Sequence, residues 1–314
     1  METGYVNDIW GQHIKTIGNT FNTAVLGGDD IFTTEPEFYK AVFSTDFSSF
    51  ELGEKVETDV MHSLLGSGIF NSNGDLWKFH RSLSRPFFSR DRISDFTIFA
   101  RHADETMAKL AMTGGKPVDL QELVGRFTIE TSCEFLFGVD ARVFSSQTAE
   151  FTRAFEGVLD STVVRFRLYP LWPWLELFSN RTRSGISIVD TFVEEILRIK
   201  KGEKGTLLDH LMGITNDREL IKGELVNFLL AGRDTTSCTI TFMCYLLAQH
   251  TSIFSKLRRE VLDTVDEEAH PTPEQIKGMK YLWAVINETL RFVQLYLYAR
   301  LNEELEQTLS TRGS

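Results

Sequence analysis

The chain has 314 residues, enough for one large domain or two ordinary ones with a sizeable buried core. Its 44 Asp and Glu outnumber its 33 Lys and Arg, giving a net charge of −11, so we do not expect it to bind duplex DNA or RNA. With 42% hydrophobic and 25% charged residues, the composition is that of a globular protein. Three cysteines cannot all pair, which argues against a disulfide scaffold.

The sequence carries no membrane or export signal that we recognise. Its apolar runs are shorter than the roughly 18–20 residues of a membrane span. Residues 1–10 lack the basic and apolar regions of a signal peptide. We therefore expect a soluble, intracellular polypeptide.

The predicted fold class is mainly α with a small N-terminal β-hairpin. Residues 19–26 partly alternate between polar and apolar side chains and lead into Gly27-Gly28-Asp29-Asp30, a turn cluster that residues 31–34 follow. Helical periodicity dominates after this hairpin. The predicted helices cover residues 35–43, 71–88, 92–112, 119–137, 150–160, 189–201 and 207–214.

The longest predicted helix runs from Asp217 to about Gln249, in a stretch without proline. At 1.5 Å per residue it would span about 50 Å, the length of a domain, so we expect it to cross the middle of one. A further helix is predicted from Met279 into the 290s.

The long helix carries the first candidate site, Ala231-Gly232-Arg233-Asp234-Thr235-Thr236. Gly232 costs about 1 kcal/mol relative to alanine in a helix and leaves room for a close approach to the backbone. Thr235 can return its hydroxyl to a carbonyl one turn earlier. A carboxylate beside a hydroxyl suits a proton relay. The plainer interpretation is a helix interior with satisfied polar groups and a salt-bridged Asp234.

Two further motifs are weak by themselves. Trp77, His80 and Arg81 share one helix face, where an indole, an imidazole and a guanidinium could grip a carboxylate. The alternative is an amphipathic helix with a basic outer face. Glu288 and Arg291 can pair along a helix, a common feature that contributes about 0–1 kcal/mol when exposed.

Together, and in this order, the three motifs resemble those of the cytochrome P-450 superfamily of heme-thiolate monooxygenases. The sequences that flank the Trp77 helix, residues 65–70 before it and 85–88 after it, resemble those of fungal alkane and fatty-acid hydroxylases. The resemblance covers roughly residues 10–291. It implies an incomplete P-450-like domain over residues 1–291, a divergent tail over 292–314, and a fold whose C-terminal part is missing.

The resemblance also implies residue roles. Trp77, His80 and Arg81 would face the heme propionates. Ala231 and Gly232 would bind the heme, with Gly232 opening space beside it. Asp234 and Thr235 would deliver protons to the dioxygen that the heme activates. The loop over the substrate pocket would be Ser67, Gly68, Ile69 and Phe70. Glu288 and Arg291 would lock the core beneath the heme.

The resemblance further implies iron-dependent oxidoreductase chemistry with an NADPH-dependent reductase and an apolar small-molecule substrate as partners. It also implies the endoplasmic reticulum membrane as location. The family's anchor is absent from the sequence, so we expect a cytoplasmic or peripheral polypeptide if the chain is stable.

One departure bears on activity. The family binds iron through a cysteine in a glycine-rich loop downstream of the Glu-x-x-Arg motif, and no such loop follows Arg291 here. Cys133, Cys238 and Cys244 lie in helical segments, where buried thiols stay protonated and inert. We therefore expect this truncated chain to be inactive as a monooxygenase. The alternatives are a non-catalytic helical fragment that folds poorly, or a remnant that binds heme or an apolar ligand.

Overall fold

A computed structural model describes residues 8–23, 31–51, 60–88, 96–141, 145–168, 171–177, 182–199, 205–266, 270–292 and 300–301. The chain forms two compact units. The first consists of residues 1–53 and 298–314, and the second of residues 54–297. The boundary predicted between residues 291 and 292 is not tested by this division and stays a prediction.

The first unit contains the predicted hairpin. Strand β1 (Thr20–Asn22) pairs antiparallel with β2 (Ile31–Thr33), with Phe21 opposite Phe32. The ring of Trp10, on helix α1 (Asp8–Ile17), stacks on Phe32 with a centroid distance of 5.2 Å. The hairpin is therefore confirmed, and its turn cluster lies outside the described residues.

Further described elements of the first unit follow the hairpin. Helix α2 (Pro36–Lys40) begins at the proline, whose missing N–H costs nothing in the first turn, and continues as a π-helical turn at Ala41–Thr45. Strand β3 (Phe50–Glu51) pairs antiparallel with β4 (Arg300–Leu301).

The second unit is helical in its described part, which confirms the mainly α prediction. Its helices are α3 (His62–Leu65), α4 (Gly74–Ser84), α5 (Thr97–Ala111), α6 (Leu120–Phe137), α7 (Ser145–Arg167), α8 (Trp172–Glu176), α9 (Arg183–Ile199), α10 (Leu207–Ile214), α11 (Arg218–Gln249), α12 (Thr251–Thr264), α13 (Pro273–Gly278) and α14 (Lys280–Phe292).

Helix boundaries follow local capping chemistry. The Asp217 carboxylate accepts the backbone N–H of Glu219 at 3.0 Å and that of Leu220 at 3.2 Å, which starts α11. Asp119 likewise accepts the N–H of Glu122 at 3.0 Å and starts α6. Gly138 ends α6 in the left-handed region, with φ of 66°.

The core of the second unit forms where α6 packs against α11 and α5, and α7 packs against α9. Phe151 lies at its centre, and its ring stacks on that of Phe192 with a centroid distance of 4.3 Å. In the part of the chain that the structure describes, every helix falls short of the length and apolarity needed to cross a bilayer.

Most of the buried residues of helix α11 lie in its first half. Ile221, Leu225 and Leu229 are buried, whereas Phe242 is 43% and Tyr245 55% exposed. The expectation that this helix crosses the middle of a domain therefore holds for its N-terminal half only, because apolar side chains of its C-terminal half lie at the surface.

Candidate functional site

The candidate site is built on α11, against which α3, α4 and α6 are positioned. The first contact pairs His80 of α4 with Glu224 of α11. The distance from His80 Nδ1 to Glu224 Oε1 is 2.6 Å, and both side chains are buried. Among the described residues, neither ring nitrogen of His80 and neither carboxylate oxygen of Glu224 has a partner in hydrogen-bond geometry, so the contact is an ion-pair contact. The imidazole thus faces a carboxylate of the protein itself.

The other members of the Trp77 motif have different environments. Trp77 is half-buried and Arg81 is exposed, whereas His80 is 2% exposed. The shared helix face therefore divides into a buried imidazole and a guanidinium at the surface. Arg81 is the member of the three whose charge is open to an external anion.

The side-chain amide of Asn227 attaches the 66–70 loop to α11. Asn227 is fully buried, and its Oδ1 accepts the backbone N–H of Phe70 at 3.0 Å. Its Nδ2 donates to the carbonyl of Leu65 at 2.8 Å and to that of Gly223 at 2.7 Å. Backbone groups of the loop are thus satisfied by a helix side chain, as buried polar groups require.

The loop lies so close to Asn227 that Gly68 has no room for a side chain. A Cβ on Gly68 would lie 2.3 Å from Asn227 Nδ2, far inside contact distance. Gly68 is buried, Ile69 half-buried, and Ser67 and Phe70 are exposed. The loop therefore presents both Ser67 and Phe70 at the surface while its backbone is fixed.

The close approach predicted at Gly232 is made by a neighbouring helix. A Cβ on Gly232 would lie 2.4 Å from Ser132 Oγ and 3.3 Å from Ser132 Cβ. The glycine thus lets α6 and α11 pack closely. Its predicted role of opening space beside a heme stays a prediction, and the contact with Ser132 gives the glycine a reason of its own.

Asp234 is part of a charged cluster. Arg233 is buried, its Nη1 lies 2.5 Å from Asp234 Oδ1, and its Nη2 pairs with Glu156 Oε1. Burial raises the pKa of the Asp234 carboxyl, the Arg233 guanidinium opposes this shift, and Glu156 adds to it. The salt-bridged Asp of the plainer interpretation is present, together with a carboxyl that retains its proton more readily than usual.

Thr235 follows directly, on an exposed part of the helix. Its Oγ1 donates to the carbonyl of Ala231 at 2.7 Å, the one-turn return that the sequence predicts. Ala231 is half-buried. Asp234 and Thr235 are therefore adjacent, but the hydroxyl and the carboxylate are held by different partners.

Glu288 and Arg291 pair with each other on α14. Arg291 Nε donates to Glu288 Oε2 at 2.8 Å and Nη2 to Oε1 at 2.7 Å, a bidentate geometry. The guanidinium lowers the pKa of the Glu288 carboxyl, and the carboxylate raises that of Arg291. Both side chains are exposed, so their predicted locking role in a core stays a prediction.

The three cysteines are not thiolates. Burial raises the pKa of the Cys133 thiol, and the nearby Glu130 carboxyl adds to the shift. Burial also raises the pKa values of Cys238 and Cys244, both half-buried on α11. A raised pKa keeps a thiol protonated at neutral pH, which disfavours metal ligation.

Reasoning from sequence missed Glu224, Asn227 and Ser132, which organise this region. Glu224 and Asn227 were detectable in principle, since they are polar residues on the apolar stripe of a long helix. Ser132 gave no signal, because a small residue opposite a helix glycine is recognisable only once two helices are placed together.

Comparison with known proteins gives a consistent result. The sequence model described as Cytochrome P450 matches residues 7–306. Cytochrome P450 monooxygenase pvhE of Talaromyces variabilis is 32% identical over 94% of this chain and 59% of its own length. Cytochrome P450 monooxygenase himC of Aspergillus japonicus is 33% identical over 88% of this chain and 52% of its own length.

A third similar protein comes from Candida tropicalis. Cytochrome P450 52A1 of Candida tropicalis is 31% identical over 90% of this chain and 57% of its own length. The chain thus spans a little over half the length of these curated relatives. Because the family model covers residues 7–306 and these relatives are more than 30% identical over most of the chain, the chain belongs to the cytochrome P450 family.

Proposed function

We propose that this chain is part of a heme monooxygenase that hydroxylates apolar substrates of the alkane or fatty-acid type. In this proposal, α11 lies on the side of the heme that binds dioxygen, and the 66–70 loop lies over the substrate pocket. The observation that carries the proposal is the exposed stretch of α11 at Thr235, next to Asp234. Asn227 attaches the 66–70 loop to the same helix. Membership of the family indicates the type of reaction, and these contacts indicate the part of the chain at which it would occur.

The residues fit a heme in part. Arg81 has an exposed guanidinium on the helix that also carries half-buried Trp77, and together they suit an anionic propionate edge. His80 does not fit that role, because it faces Glu224 in the interior. Cys133, Cys238 and Cys244 do not fit as the iron ligand, since their thiols stay protonated. We therefore propose no ligation by this chain's cysteines.

A bound heme would supply oxygen activation with electrons from outside the site. The chain's own contribution is to hold a proton at the Asp234 carboxyl, whose burial favours the protonated form. The neighbouring Thr235 hydroxyl is a donor and acceptor that can pass a proton outward from the helix. Arg233 orients the carboxylate by its contact with Oδ1.

The partners are proposals as well. Two-electron supply points to an NADPH-dependent reductase, as in the family that the sequence resembles. An apolar substrate agrees with exposed Phe70 on the loop attached to α11. By the same resemblance, the proposed location is the endoplasmic reticulum membrane.

A carbon monoxide difference spectrum of the reduced, heme-supplied chain tests the ligand question. We expect no thiolate-type Soret band from these 314 residues alone, because none of the three cysteines is a thiolate. A thiolate-type band would overturn that part of the proposal. A Soret band of imidazole type would instead favour the heme-binding remnant.

The chemistry is tested after joining the chain to the cysteine-loop region of cytochrome P450 52A1 of Candida tropicalis. We expect this chimera to hydroxylate a fatty acid, and Thr235→Val to lower turnover by about 10²–10⁴-fold. Thr239→Val is the matched control, since Thr239 makes the same one-turn hydroxyl bond to the Thr235 carbonyl at 2.8 Å. Equal losses in both variants would assign Thr235 a helix-packing role only.

A further inference from the structure

A group of ionisable side chains lies between α5 and α6, and the proposed function makes no use of it. His102 and Glu105 are one turn apart on α5, and Glu130 lies opposite on α6. From His102 Nδ1, the distance to Glu105 Oε2 is 3.8 Å and to Glu130 Oε2 is 4.0 Å. One ligand atom from each residue lies within 4.8 Å of the others.

The second ring nitrogen of His102 is held by a fourth side chain. His102 Nε2 lies 2.8 Å from Glu134 Oε2, and an ionised carboxylate can only accept, so Nε2 carries a hydrogen. Nδ1 is then the ring nitrogen available to a metal, and it lies on the side of the other two carboxylates. Nδ1 is buried and has no hydrogen-bond partner among the described residues. A carboxylate behind a histidine is the arrangement that orients metal-binding imidazoles.

Carboxylates outnumber cations among the described side chains around the His102 ring. Three carboxylates, Glu105, Glu130 and Glu134, contact the histidine. Arg101 pairs with Glu134 and lies 3.9 Å from Glu105 Oε1. Lys109 Nζ lies 3.6 Å from Glu130 Oε2. Among the ion pairs of the described residues, three carboxylates thus lie against two cations, which favours an added cation.

We propose that His102, Glu105 and Glu130 form a divalent-cation site suited to Zn²⁺, with Glu134 as the positioning residue. One imidazole nitrogen and two carboxylate oxygens match the donors that Zn²⁺ accepts, and water completes the tetrahedron. Zn²⁺ bonds of about 2.0–2.1 Å place tetrahedral ligands about 3.3 Å apart. The observed 3.8 and 4.0 Å, and the 4.8 Å within which all three ligand atoms lie, therefore require contractions of about 0.5 to 1.5 Å.

Access and role follow from burial. His102 and Glu130 are buried, whereas Glu105 is 28% and Lys109 44% exposed in their side chains, so the metal enters from the side of these two residues. Lys109 lies against the Glu130 carboxylate and would compete with the metal for Glu130 Oε2. A bound ion would join α5 to α6, independently of any heme.

Calorimetric titration of the purified 314-residue chain with Zn²⁺, and Co²⁺ absorption as a geometric probe, test the site. We expect one equivalent of Zn²⁺ and tetrahedral Co²⁺ bands. His102→Gln should weaken binding by at least about 100-fold, and Glu134→Gln by about 10–100-fold. Lys109→Gln should tighten binding, because it removes the competing cation.

The matched control is His270→Gln, since His270 Nε2 also lies near a carboxylate of α5, Asp104, at 3.2 Å but is exposed. This variant should bind Zn²⁺ like the parent chain. Glu130→Gln gives a second ligand test if His102→Gln fails to fold. No stoichiometric binding, or equal affinity in the parent and Glu130→Gln chains, would overturn the proposal.

Discussion

His80 Nδ1 and Glu224 Oε1 lie 2.6 Å apart, and both side chains are excluded from water. A lone charge in such a place costs several kcal/mol, so each side chain depends on the other. The contact joins α4, which carries Arg81, to α11, which carries Asp234. It therefore positions the two helices on which the proposed heme and proton functions depend.

Removing one partner of this pair should be costly. We expect His80→Ala and Glu224→Ala each to lower the free energy of unfolding by about 3–5 kcal/mol, because each leaves a polar group buried alone. The double replacement His80→Leu with Glu224→Leu should recover most of that loss. Urea unfolding measures all three.

The control for this pair is Glu288→Ala, which breaks the exposed bidentate pair with Arg291. It should leave the urea midpoint nearly unchanged, since exposed ion pairs contribute little. Single variants of the buried pair that behave like this control would contradict the dependence argued above.

Gly68 and Asn227 form a second dependent pair, because a Cβ at Gly68 would collide with the amide that holds the loop. We expect Gly68→Ala to cost about 1–3 kcal/mol through overpacking. Asn227→Ala should cost about 1–3 kcal/mol, since it leaves the Phe70 N–H without its acceptor. The double variant should cost less than the sum of the two, because the collision disappears with the amide.

Gly157→Ala is the control for these measurements. Gly157 lies in the middle of α7, and a Cβ there would meet no atom within 4 Å. It should raise stability by roughly 0.5–1 kcal/mol through helix propensity. Strict additivity at Gly68 and Asn227 would show that the loop is not fixed by this contact.

Gly232 and Ser132 allow the same reasoning between α6 and α11. We expect Gly232→Ala to lower thermal stability despite the better helix propensity of alanine, since its Cβ would lie 2.4 Å from Ser132 Oγ. Adding Ser132→Ala should restore the melting temperature to at least the parent value. Stabilisation by Gly232→Ala alone, as expected for Gly157→Ala, would mean that the helices separate without cost.

The sequence predicts local structure better than contacts between helices. The bounds of α10 match the prediction, and α11 begins directly after Asp217, because a capping aspartate acts on N–H groups within its own turn. Helix α12 was missed although Ile253, Leu257 and Val261 recur every four residues, and of these Leu257 is the one that is buried. Asn227 and Leu65 are 162 positions apart, so no local pattern connects them.

The raised pKa of Asp234 predicts how the stability of the chain depends on pH. Burial raises the pKa of this carboxyl in the folded chain above the ordinary value of 3.8, so the folded chain binds the proton more tightly than the unfolded chain. The stability that Asp234 contributes is therefore present at low pH and is lost as the pH rises through the raised pKa. Asp234→Asn cannot titrate, so its stability lacks this component.

We expect the unfolding free energy of the parent chain, minus that of Asp234→Asn, to fall as the pH rises from about 4. Urea unfolding over a pH series measures the difference, and the carboxyl carbon resonance of Asp234 reports its titration directly. Arg233 acts in the opposite direction, because its guanidinium favours the ionised form. A difference that rises with pH would mean that this ion pair outweighs burial, and Asp234 would then be a salt-bridged carboxylate and not a proton carrier.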